Sequence, residues 1–224
     1  IHATAYSYLN ETLGLDDFEA FRSIPAVAAK FELLTETSSD YTHEQLAVSS
    51  EARKEVARSL AIFSAFTEGV SLYSSFAVLY SFQMRNLLKG VGQQMKWSVR
   101  DESLHSKMGV HLFRQMCAEY PELHRDVEAD VIEAAQLIVE LELNFIDKMF
   151  EMGDLDNLKA EDLKAFIKKR ANEKISELGY EGVFTFKYDE ESASRLDWFY
   201  HLTGGKTHTD FFAIRSTDYS KAGE

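Results

Sequence analysis

Two carboxylates and an imidazole in this chain have the types and spacing to do chemistry together. Glu102 and His105, in V-R-D-E-S-L-H, are three residues apart, so on a helix they project from one face. Glu68 lies in A-I-F-S-A-F-T-E-G-V-S-L-Y, inside an otherwise apolar face, where a carboxylate is costly unless it is paired or metal-bound. Carboxylate oxygen and imidazole nitrogen together make a donor set that iron or manganese accepts, and facing helices can point such groups inward from an apolar bundle. Each residue also has a plainer reading. Glu68 alone is equally an exposed or ion-paired glutamate, and Glu-x-x-His arises by chance in acidic helices, as a solvated face with one salt bridge to Arg100. Two long apolar helices in succession, each carrying a candidate carboxylate, shift the balance toward a shared metal site.

Such a site needs helices to hold it, and the hydrophobic pattern supplies them. Within 51–89 the apolar positions Val56, Leu60, Phe63, Phe66, Val70 and Tyr73 recur three or four apart, which predicts one long helix capped by Ser49 or Ser50. Past Val70 the apolar face broadens through Phe76, Leu79 and Phe82, so this helix is buried on most sides. Gly90 and Gly92 punctuate a turn, and a second long helix runs from about 93 to 120, stopping before Pro121. A third amphipathic segment covers 125–152 and ends at Gly153, and a shorter helix covers about 160–178. Upstream, I-H-A-T-A-Y-S-Y-L reads as a helix already under way, with Gly14 as its stop, Asp16-Asp17 as the next start and Pro25 as a further break. The polar run 35–45 reads as a connection. V-F-T-F-K-Y at 183–188 alternates, as a short strand or an extended loop does, and 204–224 lacks a helical stripe and is expected to lie along the surface or be mobile.

Composition narrows the class. Among 224 residues, 45% are apolar and 12% aromatic while only two are proline, which favours one globular domain of long helices. A formal net charge of −13 disfavours nucleic acid and anionic lipid as partners and suits a cation site weakly. Cys117 is the only cysteine, which excludes an internal disulfide framework, fits a reducing compartment and points to a packing role. No apolar run reaches the length of about 18 residues that suggests a membrane span, and no basic-then-apolar leader opens the sequence. The expectation is a soluble, cytoplasmic protein.

With these residues in view, the sequence resembles the small, radical-generating (beta) subunit of class I ribonucleotide reductases, over nearly its whole length. R-D-E-S-L-H at 100–105 is similar to that family's second Glu-x-x-His signature, and E-G-V-S-L-Y-S-S-F at 68–76 to its preceding glutamate helix. The separation of Glu68 from Glu102 agrees with the family's, and I-H-A-T-A-Y is similar to its first Glu-x-x-His followed by the radical tyrosine. The resemblance implies an all-α, ferritin-like helical bundle over 1–203, incomplete at its start, and an extended C-terminal segment over 204–224 leading to the partner-docking tail. It implies that His2, Glu68, Glu102 and His105 ligate a dinuclear iron centre, or a manganese–iron or dimanganese one. Tyr6 would carry the stable radical, Asp101 would hydrogen-bond His2 and link it to the radical path, and Phe76 would shield the radical. Tyr219 would pass it toward the large subunit. The implied partners are that large subunit and a second copy of the small subunit.

The match is incomplete. An Asp from an earlier helix and a Glu three residues before His2 belong to the family's site, and neither is in the sequence, nor is the family's N-terminal tryptophan. The sequence also ends before the usual docking tail is complete. The expectation is a fragment of a longer product, with a separate N-terminal piece as the alternative, and poor metal binding by this chain alone. Ser98 puts a hydroxyl one turn before Glu102, where the resemblance leads one to expect an apolar neighbour of the radical, and its role stays open; Leu72 occupies a position that is often aromatic in the family. Two other functional classes remain: a ligand-binding or substrate oxidase with the same dimetal bundle, and a helical interaction or metal-storage protein.

Overall fold

The structure, a computed structural model, describes residues 2–15, 19–36, 41–187 and 190–203, and among these the regular structure is helical, with one isolated antiparallel bridge between Leu155 and Leu158 and no strand. The order is α1 (His2–Thr12), a 3-10 turn (Ala20–Ser23), α2 (Pro25–Glu36), α3 (His43–Val48), α4 (Ser50–Ile62), a π-helical turn (Phe63–Thr67) and α5 (Tyr73–Met84). There follow α6 (Lys89–Glu119), α7 (Glu122–Asp126), α8 (Glu128–Met149), α9 (Ala160–Leu178) and α10 (Glu190–Thr203). The all-α bundle expected from the sequence is what forms. Helices α4, α5, α6, α8 and α9 surround one core, in which Phe66, Tyr73, Met95, Phe113, Phe166 and Phe199 are fully buried. Burying a side chain of this size contributes about 1.5–3 kcal/mol, and these six come from the π turn and from α5, α6, α9 and α10, so the same burial fixes the helices to one another. No described helix is long and apolar enough to cross a membrane.

Local chemistry sets several of the helix ends. Ser49 caps α4, its hydroxyl accepting from the Ala52 amide at 3.1 Å. Thr42 and Gln45 cap α3 reciprocally, so the stretch expected as a connection over 35–45 holds the end of α2 and the start of a short helix, with 37–40 outside the described residues. Pro25 opens α2 instead of breaking a helix, because the first helical position has no use for an amide donor. Gly14, at φ +69°, follows the end of α1 as expected, whereas Asp16 and Asp17 lie outside the described residues.

The helices that carry the candidate site differ from the pattern in two places. The single helix expected over 51–89 is three pieces, since the π turn and a non-helical stretch at 68–72 separate α4 from α5. Apolar spacing runs through that break undisturbed, which is why periodicity missed it. The second long helix begins at Lys89, and Gly90 and Gly92 lie in its first turns. Asn86 (φ +63°) and Leu88 (φ +43°) supply the left-handed conformations of the turn that the glycines were expected to make. Further on, 125–152 divides into α7 and α8, and residues 181–187 form an extended loop whose Phe184 backbone is held at both its amide and its carbonyl by the Asn172 side chain.

Candidate metal centre

Glu68 owes its position to the π turn. The Glu68 amide donates to the Phe63 carbonyl at 3.0 Å and the Ser71 amide to the Phe66 carbonyl at 2.8 Å, both five residues back, so the helix widens where the carboxylate emerges. Ser64 turns its hydroxyl onto the Leu60 carbonyl at 2.6 Å, which loosens the α-helical ladder just before the turn. On the facing helix, a β-carbon added to Gly109 would sit 2.3 Å from Ser64 Cβ. The turn and α6 therefore meet almost backbone to backbone, and this close crossing brings Glu68 up to the α6 face that carries Glu102 and His105.

The three side chains converge. His105 Nδ1 lies 3.4 Å from Glu102 Oε2 and 3.7 Å from Glu68 Oε1, and one donor atom from each residue falls within 4.8 Å of the others. Glu68 and Glu102 are mostly buried while His105 is half exposed, so the group opens to solvent on the imidazole side. Burial first, and the Glu102 charge second, push the Glu68 carboxyl above the usual carboxylate range, with His105 easing it. Two carboxylates forced together at the edge of a core fit a divalent cation, whose charge would relieve both the crowding and the desolvation. The donor set suits a metal that accepts oxygen and imidazole nitrogen alike.

Tyr6 stands beside this group. Its ring packs on the core from α1, and its hydroxyl shares a 2.6 Å hydrogen bond with Ser98 on α6. Burial raises the Tyr6 phenol above its ordinary pKa, the Ser98 hydrogen bond opposes this, and the Glu102 charge adds to it, so the phenol lies within electrostatic reach of the carboxylates. Asp101 is half-buried on α6 next to Glu102. The side chain of His2, which belongs to α1, and the whole of Tyr219 lie outside the described residues. Phe76 is buried with its ring edge-on to Tyr73, at 5.7 Å between centroids. Cys117 is half-buried against the core, where desolvation raises its thiol, in keeping with the packing role expected of it.

Sequence reasoning missed the groups that hold the Glu68 segment in place. Arg170 of α9 donates to the Gly69 carbonyl and lays its guanidinium 3.5 Å from the centre of the Tyr73 ring, while the Tyr73 hydroxyl bonds Ser103 of α6 at 2.8 Å. From the other side, Lys30 of α2 donates to the Ser71 carbonyl at 2.7 Å and pairs with Glu142 of α8, which also accepts from Ser74. Glu142 is fully buried, and desolvation pushes its carboxyl upward while Lys30 holds it down. Two cations thus fix the carbonyls that follow Glu68. The one signal in the sequence was Glu142 itself, an acidic residue at a core position of an amphipathic helix.

The chain is similar to known proteins along almost all of its length. The family model described as ribonucleotide reductase, small chain, matches residues 1–192. A ribonucleoside-diphosphate reductase small subunit of Invertebrate iridescent virus 3 is 33% identical, across 99% of this chain and 60% of its own length. Its counterpart from Invertebrate iridescent virus 6 is 30% identical, across 98% and 68% respectively. The beta subunit of the Chlamydia pneumoniae enzyme is 24% identical across 100% of this chain and 64% of its own. The chain therefore spans between 60% and 68% of these relatives' lengths. A solved structure from Bacillus halodurans, described as a class I ribonucleotide reductase, shares the fold at a TM-score of 0.70 and 21% identity, covering 90% of this chain and 70% of that one.

Proposed function

This chain belongs to the ribonucleotide reductase small-chain family, and from that membership we propose that it is part of the radical-generating small subunit of a ribonucleoside-diphosphate reductase. The observation that carries the reading is the convergence of Glu68, Glu102 and His105 within 4.8 Å, with the Tyr6 phenol in reach of the Glu102 charge. In this reading Glu68, Glu102 and His105, with His2, hold a dinuclear iron centre or its manganese–iron or dimanganese equivalent. When bound, the metal pair supplies the one-electron oxidant, derived from dioxygen, that turns a phenol into a radical. Tyr6 is the phenol, kept from bulk water by its packing on the core. Asp101 orients the imidazole of His2, and Tyr219 hands the radical on to the large subunit. A large subunit and a second copy of the small subunit are the partners, and the exposed apolar side chains Leu104, Met108 and Leu112 along one face of α6 support a protein partner there.

The test is metal analysis and electron paramagnetic resonance on the full-length product. Two metal ions per chain and a tyrosyl signal that vanishes in Tyr6→Phe are expected. A protein that takes up no metal pair, or a tyrosyl radical that persists in Tyr6→Phe, would overturn the reading.

A further inference from the structure

Ser98 is almost fully buried, at 1% exposure, on the inner face of α6 one turn before Glu102. A buried serine on a helix can satisfy itself by bonding the carbonyl four residues back. Ser98 instead reaches across to α1 and shares a 2.6 Å hydrogen bond with the Tyr6 hydroxyl, at the short end of the range for two hydroxyls. Among the described residues, Ser98 is the hydrogen-bonding partner of the Tyr6 oxygen, and the Glu102 carboxylate acts on it through its charge. A hydroxyl, unlike a carboxylate or an amide N–H, both accepts and donates, and it switches between the two by rotating about one bond.

We propose that Ser98 is the positioning residue of Tyr6: its hydroxyl holds the phenol oxygen against α6, accepting from the resting phenol and donating to the phenoxyl oxygen once Tyr6 is oxidised. The proposal rests on the reading of Tyr6 as the radical site. A metal pair held at Glu68, Glu102 and His105 would take one electron from Tyr6, and the phenolic proton would be taken up by the carboxylates there, of which Glu102 lies within electrostatic reach of the phenol. Ser98 keeps its own proton throughout and only turns. The radical of this chain is accordingly a hydrogen-bonded one, held by a side chain from the same helix as Glu102 and His105. An alanine at 98 would remove donor and acceptor together, while a threonine would keep both.

Two measurements test this, one of which needs neither metal nor activity. With 3-fluorotyrosine in place of the ten tyrosines, the fluorine resonance of residue 6 in the metal-free chain is identified by its loss in Tyr6→Phe. Ser98→Ala is expected to shift that resonance while leaving the others in place, and Ser98→Thr to restore it; a resonance that Ser98→Ala leaves unmoved overturns the proposal. In the metal-loaded full-length protein, the radical is expected to show a coupling to a proton that exchanges in heavy water, present in wild type and Ser98→Thr and lost in Ser98→Ala. A Tyr6 radical without that coupling, or with one that Ser98→Ala leaves intact, also overturns it. A radical that survives Tyr6→Phe instead sinks the assignment of Tyr6, and the role of Ser98 in it, whatever the fluorine spectrum shows.

Discussion

Besides the cations that fix its segment, Glu68 is held in place by residues that carry no charge. Gly109 and Ser64 let α6 and the π turn touch, and any side chain at 109 forces them apart. Gly109→Ala is expected to destabilise the chain by about 1–3 kcal/mol, as overpacking of a tight contact does, and to weaken metal uptake with it, as read by denaturant unfolding and by a metal titration. Adding Ser64→Ala should rescue little, because the nearest obstacle is the Ser64 β-carbon and not its hydroxyl. The acidic and imidazole members of the site were legible in the sequence because their types announce the chemistry and Glu-x-x-His fixes a shared face. Gly109 and Ser64 were not, since a glycine or serine within a helical pattern does not say which partner it faces. Tyr6 was legible only through the resemblance, and its bond to Ser98 joins residues whose proximity no local spacing encodes.

Between elements, the pair of Lys30 and Glu142 ties α2 to α8 and, through Ser71 and Ser74, to the segment that follows Glu68. Lys30→Met strands a buried carboxylate and is expected to cost about 3–5 kcal/mol, whereas the double change Lys30→Met with Glu142→Leu should recover much of that loss; denaturant melts of the three proteins check it. Farther from the site, Arg195 of α10 grips Asp162 of α9 with two hydrogen bonds, at 2.5 and 2.7 Å. That grip holds the Asp162 carboxyl below its ordinary value of 3.8. A carboxyl depressed by folding adds stability that is present above its unfolded pKa and is lost as pH falls through the folded one. Urea midpoints should therefore drop more steeply on acidification below about pH 4 in wild type than in Asp162→Asn. Period and capping residues made the start of α4, and the whole of α6, α8 and α9, legible to within a few residues. The break between α4 and α5 was hidden because Phe63, Phe66, Val70 and Tyr73 keep helical spacing across it, and α10 because Leu196 and Phe199 give it too thin a stripe to notice.

As a whole molecule the chain carries a net charge of −13, so cations gather loosely over all of its surface. Binding at one defined site differs from this background in being linked to folding: a cation at 100 times its dissociation constant stabilises the folded state by about 2.7 kcal/mol. Manganese(II) at a concentration high enough to fill a weak site is expected to raise the thermal midpoint of this chain by scanning calorimetry, and Glu68→Ala and Glu102→Ala each to abolish most of the rise. An equal rise in the variants would mean that the acidic surface alone accounts for it. The all-helical class was legible from composition, with two prolines in 224 residues and long apolar stripes. The cations that fix the Glu68 segment were not, because Lys30 and Arg170 lie far from Glu68 along the chain and meet it only after α2 and α9 have docked.

The π turn sets the phase of Glu68 through how five residues are wound. An α-helix advances by about 100° of azimuth per residue, and a π turn accommodates one surplus residue as a bulge in an α-helix. Winding Phe63–Thr67 as plain α-helix with no residue removed would swing the carboxylate of Glu68 roughly a quarter-turn away from α6, whereas deleting one of the five would relax the bulge and leave Glu68 nearly in phase. All of the residue types proposed for the site would survive such a rewinding, in an equally hydrophobic and equally helical chain, yet Glu68 would be out of phase with Glu102 and His105.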